Sequence, residues 1–543
     1  MQNFLAPISI LIVRTLLCNS VIAQTGAIPE NDERCIRKVF DDIVTAVYAG
    51  GSAPRLVIRT SGMDQISNYE AGSRVVNVDV RLMELCRRLD DDSLNGVAAV
   101  LAHELAHDFR GHGNRNGTVK LSRAEKEGIK YLVQDKISWR AYEELQADYF
   151  AGFYGRAAGY DPLRVMPRML GIIYQEFELE EEDSEYPSLR ERKKIASQAA
   201  GNMNSLIQVF ETANYCSLIR SYPEARKLYN HVAGEFLGRE IFNNAGLASV
   251  LHALEFMGEG ALGFIYPLEM DRDTRLRGVK VVNGRIERAT RGTSPEDSAL
   301  GARLLLDAAE QFNEAIEHDP RYSPALLNLA TVRILQRDYE GAVRNAKSAM
   351  DADTSTLTRI YARTLIAISR ARGDDHDEAV MVLQEISESA SEYGAGDLIQ
   401  ANLAVLEHRD FTGLEETGSR PVVEQIGGLR AGDRIMSMPP VIRIDADDSL
   451  AVVVGNALDH DVIRVEHADS WIQFIFAGPD YSRGTSNGVR IGDSVQRVRH
   501  VYGNPSRTIC SPRGQYHIYE YSKLIFLIDT SGNVANWAIY AIG

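Results

Sequence analysis

The sequence predicts a multidomain protein: an α+β domain built around one histidine-bearing helix, an all-α region of repeated helical hairpins, and a small α+β or β-rich carboxy-terminal domain. Three observations predict it. An apolar run over residues 97–102 leads directly into His103-Glu104-Leu105-Ala106-His107. Ala315 and Asp319 recur thirty-four residues later as Ala349 and Asp353. After His408, helical periodicity gives way to short alternating segments and glycine-containing turns. At 543 residues the chain has room for roughly three or four domains.

His103 and His107 are four residues apart, so in a helix their imidazoles share a face and can hold one metal ion. No Pro or Gly breaks residues 97–102. Asp91, Asp92 and Ser93 are good capping residues, so the helix is expected to start near them and to run to about Phe109. Glu104 projects into the same site. In the H-E-x-x-H arrangement two imidazoles bind zinc, and the carboxylate takes a proton from the water that the ion activates. An amphipathic helix can produce these five residues by chance, so a third ligand is required. Residues 143–151 read as a helix with acids at Glu144 and Asp148 on one face. Glu144 can complete the ligand set. Asp148, one turn on, can accept a hydrogen bond from a liganding imidazole and fix its tautomer. A solvated acidic face is the other reading of the same pair.

Taken together these residues resemble a known family. The H-E-x-x-H helix with His112 five residues on, the Glu144-x-Gln146-Ala147-Asp148-x-x-Ala151 block, and Ala158-Gly159-Tyr160-Asp161-Pro162 are similar, in that order, to the HtpX and CAAX-prenyl-protease family of zinc metallopeptidases. The metzincin pattern fails, because Arg110 and Gly113 stand where it requires Gly and His. The resemblance covers roughly residues 30–200. It implies a zincin-like (gluzincin) α+β fold and one Zn²⁺ per chain, held by His103, His107 and Glu144. It implies Glu104 as the general base and Asp148 in support. His112 either supports the site or is a surface residue. The family also carries a His-Pro pair before an arginine-containing helix. Pro187, Leu189 and Arg192 fit that signature, but Tyr186 stands in place of the histidine. A tyrosine hydroxyl can also donate to an oxyanion, which makes Tyr186 a catalytic candidate beside Glu104.

Around this centre, residues 31–48 carry apolar side chains at three-four spacing and read as an amphipathic helix. Residues 55–59 and 74–79 read as strands. In the family, the strand before the metal helix is an edge strand along which substrate pairs. The matching segment here is 72–80, with Val75, Val76 and Asn77 as the expected substrate-binding positions. An ordinary internal strand is the alternative.

The net charge of −16 excludes nucleic acid as the main partner, since phosphate binding needs a basic stripe. Residues 1–23 are the only targeting candidate. They read as a secretory signal peptide, with an uncleaved membrane anchor as the second reading, although no Lys or Arg precedes the apolar stretch and Arg14 interrupts it. Leu17 disfavours lipid attachment at Cys18. No later stretch reaches the roughly 20 apolar residues of a spanning helix, so membrane association is expected only through the amino terminus. Of the five cysteines none has metal-site spacing, and a Cys35–Cys86 disulfide is allowed in an oxidising compartment.

Residues 204–405 read as helical hairpins. The thirty-four-residue recurrence is the tetratricopeptide (TPR) period, in which small residues let paired helices pack closely. Degenerate units are expected at 222–225 and 377–379. Residues 279–288 read as a β-hairpin insertion on an Asn-Gly turn. Such repeats bind protein segments, and a peptidase domain followed by them resembles the BepA-like periplasmic members of the family. That resemblance implies polypeptide substrates in the cell envelope, protein partners on the repeats, and a periplasmic or secreted location.

Residues 420–543 read as strands and turns. The stretch at 428–435 is weakly PDZ-like, and the later segments are more BamE-like. Gly-x-x-x-Gly-Asp occurs at both 428 and 488, which points to two related modules. The second functional class open at this point is a binding or chaperone-like protein with a slow or gated metal site.

Overall fold

The computed structural model describes residues 29–47, 53–59, 65–110, 139–178, 188–235, 237–257, 263–268, 270, 294–409, 424–426, 428, 430–433, 442–443, 450–455, 462–467, 472–477, 481–511 and 514–541. The expected signal segment, His112, Tyr186 and the 279–288 hairpin all lie outside these residues. The protein is a multidomain α+β chain, mostly helical, with a small sheet domain at the carboxy terminus. It forms two compact units. The first holds the described residues up to Ile207 together with Gly234–Leu237, and the second holds Gln208–Ala233 and the described residues from Gly238 onward. Among the described residues, no helix is long and apolar enough to cross a membrane.

The first unit opens with helix α1 (Glu30–Val47), which buries Ile36, Val39, Phe40 and Ile43 at three-four spacing. Strands β1 (Arg55–Arg59), β2 (Ser67–Glu70) and β3 (Val75–Asp79) form a sheet in the order β1-β3-β2, with β1 parallel and β2 antiparallel to β3. The edge-strand expectation for Val75, Val76 and Asn77 is therefore corrected. They lie on the central strand, buried and paired on both sides, with Val76 opposite Leu56 and Tyr69. Among the described residues, the edges of this sheet are β1 and β2.

A short helix α2 (Leu82–Cys86) and a 3₁₀ turn (Arg87–Asp92) lead into α3 (Ser93–Phe109). α3 is buried from Gly96 through His107, as its Ala- and Val-rich composition requires. Its start is where expected, but Asp92 does not cap it. The Asp92 carboxylate instead accepts from Asn95 at 3.0 Å and pairs with Arg164.

Helices α4 (Trp139–Ala157) and α5 (Pro162–Glu176) pack against α3, and residues 158–162 form the joint between them. Gly159 ends α4 in the left-handed region (φ 97°), and the Tyr160 amide reaches back to the Gly155 carbonyl at 2.9 Å. The Tyr160 hydroxyl donates to Asp42 on α1 at 2.6 Å, and Pro162 opens α5. A Cβ on Gly155 would lie 2.1 Å from the Pro162 ring, so the α4–α5 approach requires glycine there.

Helix α6 (Leu189–Leu218) is followed by α7 (Tyr222–Glu235), α8 (Arg239–Leu254), α9 (Pro295–His318), α10 (Ser323–Leu335), α11 (Tyr339–Ala352), α12 (Thr356–Arg372), α13 (His376–Glu392) and α14 (Gly396–Leu406). Several of these helices stop in the same way. A residue with positive φ (Arg220, Arg337, Asp374, Gly394 or His408) is followed by an amide that bonds back five residues, as in Ser221 to Cys216 at 2.8 Å and Asp338 to Arg333 at 2.8 Å. The thirty-four-residue spacing is also visible in atoms. Asp319 and Asp353 both leave their helix extended, and each accepts the amide two residues on at 2.9 Å.

The carboxy-terminal strands β4 (Ile442–Arg443), β5 (Leu450–Gly455), β6 (Val462–His467), β7 (Ile472–Ala477), β8 (Arg507–Ser511), β9 (Gly514–Tyr519), β10 (Leu524–Asp529) and β11 (Val534–Tyr540) make one antiparallel sheet in the order β4-β5-β6-β7-β11-β10-β9-β8. It is two four-strand meanders joined by their last strands. β6 and β10 are offset by sixty-two residues, as are β7 and β11. The pair Phe476↔Ala538 is itself sixty-two apart, and Ala477↔Trp537 and Ile475↔Ile539 exchange places across it, so a local two-fold axis passes through that pair. The two Gly-x-x-x-Gly-Asp turns match too. In each the glycines have positive φ, and the aspartate accepts the arginine amide at 2.8 Å (Arg430 to Asp433, Arg490 to Asp493). Helix α15 (Val495–Tyr502) covers the second half, over a core that includes Tyr519, Phe526 and Trp537. The other face of the sheet packs Phe474, Phe476 and Tyr516 around Tyr215, with ring centroids 5.2, 5.2 and 5.8 Å away.

Candidate metal centre

α3 and α4 bring His103, His107 and Glu144 together, all buried, with one ligand atom from each lying within 4.8 Å of the others. The Nε2 atoms of His103 and His107 are 3.1 Å apart. The Glu144 carboxylate lies 3.3 Å from the first and 3.8 Å from the second. Bonds of about 2.0–2.2 Å around a tetrahedral ion set its ligand atoms about 3.3–3.6 Å apart. The residues present therefore fit a single metal ion.

The surroundings support the same fit. His103 Nδ1 is 2.7 Å from Asp148 Oδ1, which turns Nε2 toward the shared centre. Arg192, also buried, donates to the other Asp148 oxygen at 3.0 Å. Glu104 is fully buried. Its Oε1 accepts from Ser67 Oγ at 2.7 Å, and the Tyr69 backbone amide also favours its charged form. Its Oε2 has no hydrogen-bond partner among the described residues. With Glu104 ionised, three carboxylates face one guanidinium, which leaves two negative charges for a divalent ion to neutralise.

In the metal-free protein two protons take that role, one on His103 and one on Glu104. Burial opposes the charge on His103, but Asp148 and Glu144 outweigh it and raise its pKa to about 10. Burial, reinforced by the His103 charge, lowers His107 to about 4 against the pull of Glu144. Glu144 is held at about 2 despite its burial, because His103 hydrogen-bonds to it. Burial raises Glu104 to about 8. A cation at the centre would displace the His103 proton and favour the Glu104 carboxylate.

The structure thus gathers His103, Glu104, His107, Glu144 and Asp148. Val75, Val76 and Asn77 are on the buried central strand, and His112 and Tyr186 are outside the described residues. Two supporting groups escaped the sequence reading. One is Ser67. The other is Asp108, which accepts from Arg74 at 2.9 and 2.6 Å and from the Tyr69 hydroxyl, tying β2 and the β2–β3 turn to the residue after His107. No spacing rule marks either one, since both contacts join segments more than thirty residues apart. Cys35, Cys86 and Cys216 are free thiols.

Compared with known proteins, the chain matches no family model and no curated protein.

Proposed function

We propose that the chain is a zinc-dependent endopeptidase of the HtpX and CAAX-prenyl-protease kind, with a gluzincin ligand set of His103, His107 and Glu144. The observation that carries this reading is the convergence of those three ligand atoms beside a buried Glu104 that has one unpartnered oxygen. A bound zinc ion supplies Lewis acidity toward a water and toward the substrate carbonyl. Glu104 Oε2 accepts the proton of the attacking water and returns it to the leaving amine. Ser67 holds the other oxygen, so one carboxylate oxygen positions while the other reacts. Asp148, itself held by Arg192, orients His103. Extended substrate would lie beside β2, the edge strand that reaches Glu104, in place of β3.

In the same reading the helical hairpins are a TPR-like scaffold for protein segments, and the carboxy-terminal sheet, PDZ-like or BamE-like in sequence, is a partner-binding module. The substrates are unfolded or misassembled proteins of the cell envelope, an assignment that rests on the resemblance to the BepA-like members.

The test is cleavage of a permanently unfolded protein by the full chain and by Glu104→Gln, with zinc measured in both. The expected result is equal zinc and a loss of cleavage of at least about a thousandfold in the variant. Cleavage that persists in Glu104→Gln overturns the assignment of the base. Zinc in both without cleavage in either favours a binding or chaperone-like protein.

A further inference from the structure

The second unit holds, among its helices, a cavity of about 680 Å³ that the metal centre does not use. Leu305 and Leu306 of α9 and Ile334 and Leu335 of α10 form its apolar wall, with Leu306 60 % exposed. Arg337, just past α10, and Arg372, the last residue of α12, also line it. The Arg337 amide caps α10 on the Ile334 carbonyl at 2.9 Å, and its guanidinium has no hydrogen bond or ion pair among the described residues. Arg372 stacks over Phe264 at 5.1 Å and meets no carboxylate among the described residues. The described lining contains no Asp or Glu, although the whole chain has 75 acidic residues against 59 basic ones. The cavity thus runs against the charge of the molecule.

The wall that carries Tyr266 is anchored. Asn402 on α14 accepts the Ile265 amide at 2.7 Å and donates to the Ile265 carbonyl at 2.9 Å. That paired bond fixes the strap bearing Phe264 and Tyr266, and so presets Arg372 beneath it.

We propose that this cavity binds the carboxy-terminal end of a polypeptide whose last residue is large and apolar. Two arginines stand on this lining, and a guanidinium suits a carboxylate, which it recognises through paired N–H donors. The leucine and isoleucine wall takes the terminal side chain. The hydroxyls of Ser298 and Tyr339 on the same lining can meet peptide groups, which a bare hydrocarbon chain would leave unused. The site is independent of the metal reading, so either can fail alone.

The experiment is calorimetric titration of the full chain with acetyl-Gly-Gly-Phe bearing a free carboxylate, with the same peptide as its carboxy-terminal amide, and with decanoate. The expected result is binding of the acid, at least tenfold weaker binding of the amide, and no competition from decanoate. Arg337→Gln and Arg372→Gln should each weaken the acid about tenfold without moving the thermal midpoint, and chelation of metal should leave the affinity unchanged. Equal affinity for acid and amide, no binding of the acid, or decanoate binding in preference to the peptide would each overturn the proposal. The acid–amide comparison uses the unaltered chain, so it decides the matter even where a variant folds poorly.

Discussion

Ser67 stands thirty-seven positions before Glu104 in the chain, and its hydroxyl touches the Glu104 carboxylate. The pairing of His103 with His107 was legible because i, i+4 spacing puts two side chains on one helix face wherever that helix goes. Ser67 was not, because its role exists only once β2 lies beside α3. A hydrogen bond to a charged group contributes about 1.5–3 kcal/mol, and a tenfold rate change corresponds to about 1.4 kcal/mol. Ser67→Ala is therefore expected to lower kcat by roughly ten- to a hundredfold, with KM and zinc content unchanged and with Ser67→Thr restoring most of the rate. Steady-state kinetics beside metal analysis checks this. Loss of zinc in Ser67→Ala would mean that the residue only holds the fold.

At the scale of elements, helices α1 and α3 and strands β1 and β3 could be read from their periodicity, and β2 could not. Its four residues, Ser67-Asn68-Tyr69-Glu70, carry one strong strand former and little alternation. The resemblance implies an edge strand at Val75, Val76 and Asn77, and β2 on the far side of β3 makes the internal-strand alternative the right one. The last strands of the carboxy-terminal sheet were visible from their alternation, and the paired glycine turns hinted at duplication. The joining of β7 to β11 is a pairing across sixty-two residues that no local pattern announces. Within this sheet, His517 on β9 is buried and its Nδ1 has no hydrogen-bond partner among the described residues. Burial, with help from the Arg499 charge, lowers its pKa to about 4. The unfolded chain protonates this histidine near pH 6.5, so the unfolded state binds the proton that the folded state refuses. Stability is expected to fall as pH drops from about 6.5 toward 4 and to be independent of this group above that window. Denaturant unfolding followed by Trp537 fluorescence, with the other two tryptophans, Trp139 and Trp471, replaced by Phe, measures it. The same pH slope in His517→Gln would show that another group is responsible.

At the scale of the molecule, the chain forms two compact units, and the candidate metal ligands His103, His107 and Glu144 all belong to the first. A ligand that binds only the folded form at a hundred times its Kd adds about 2.7 kcal/mol. Chelation should therefore lower the thermal transition of the unit that contains α3 by several degrees and leave the other transition in place. Scanning calorimetry with and without a chelator tests this, and an equal shift of all the heat absorption would contradict it. The passage from helices to a carboxy-terminal sheet was legible because helical periodicity gives way there to short alternating segments. The placement of Arg337 and Arg372 around one cavity was not, since each is an ordinary helix-end residue in sequence.

The most direct test of the central claim is the metal content of the purified chain and of its His107→Ala and Glu144→Ala variants, by elemental analysis. The account predicts one zinc per chain in the native protein and little in either variant, with folding retained. No zinc in the native chain, or the same zinc in all three, would contradict it.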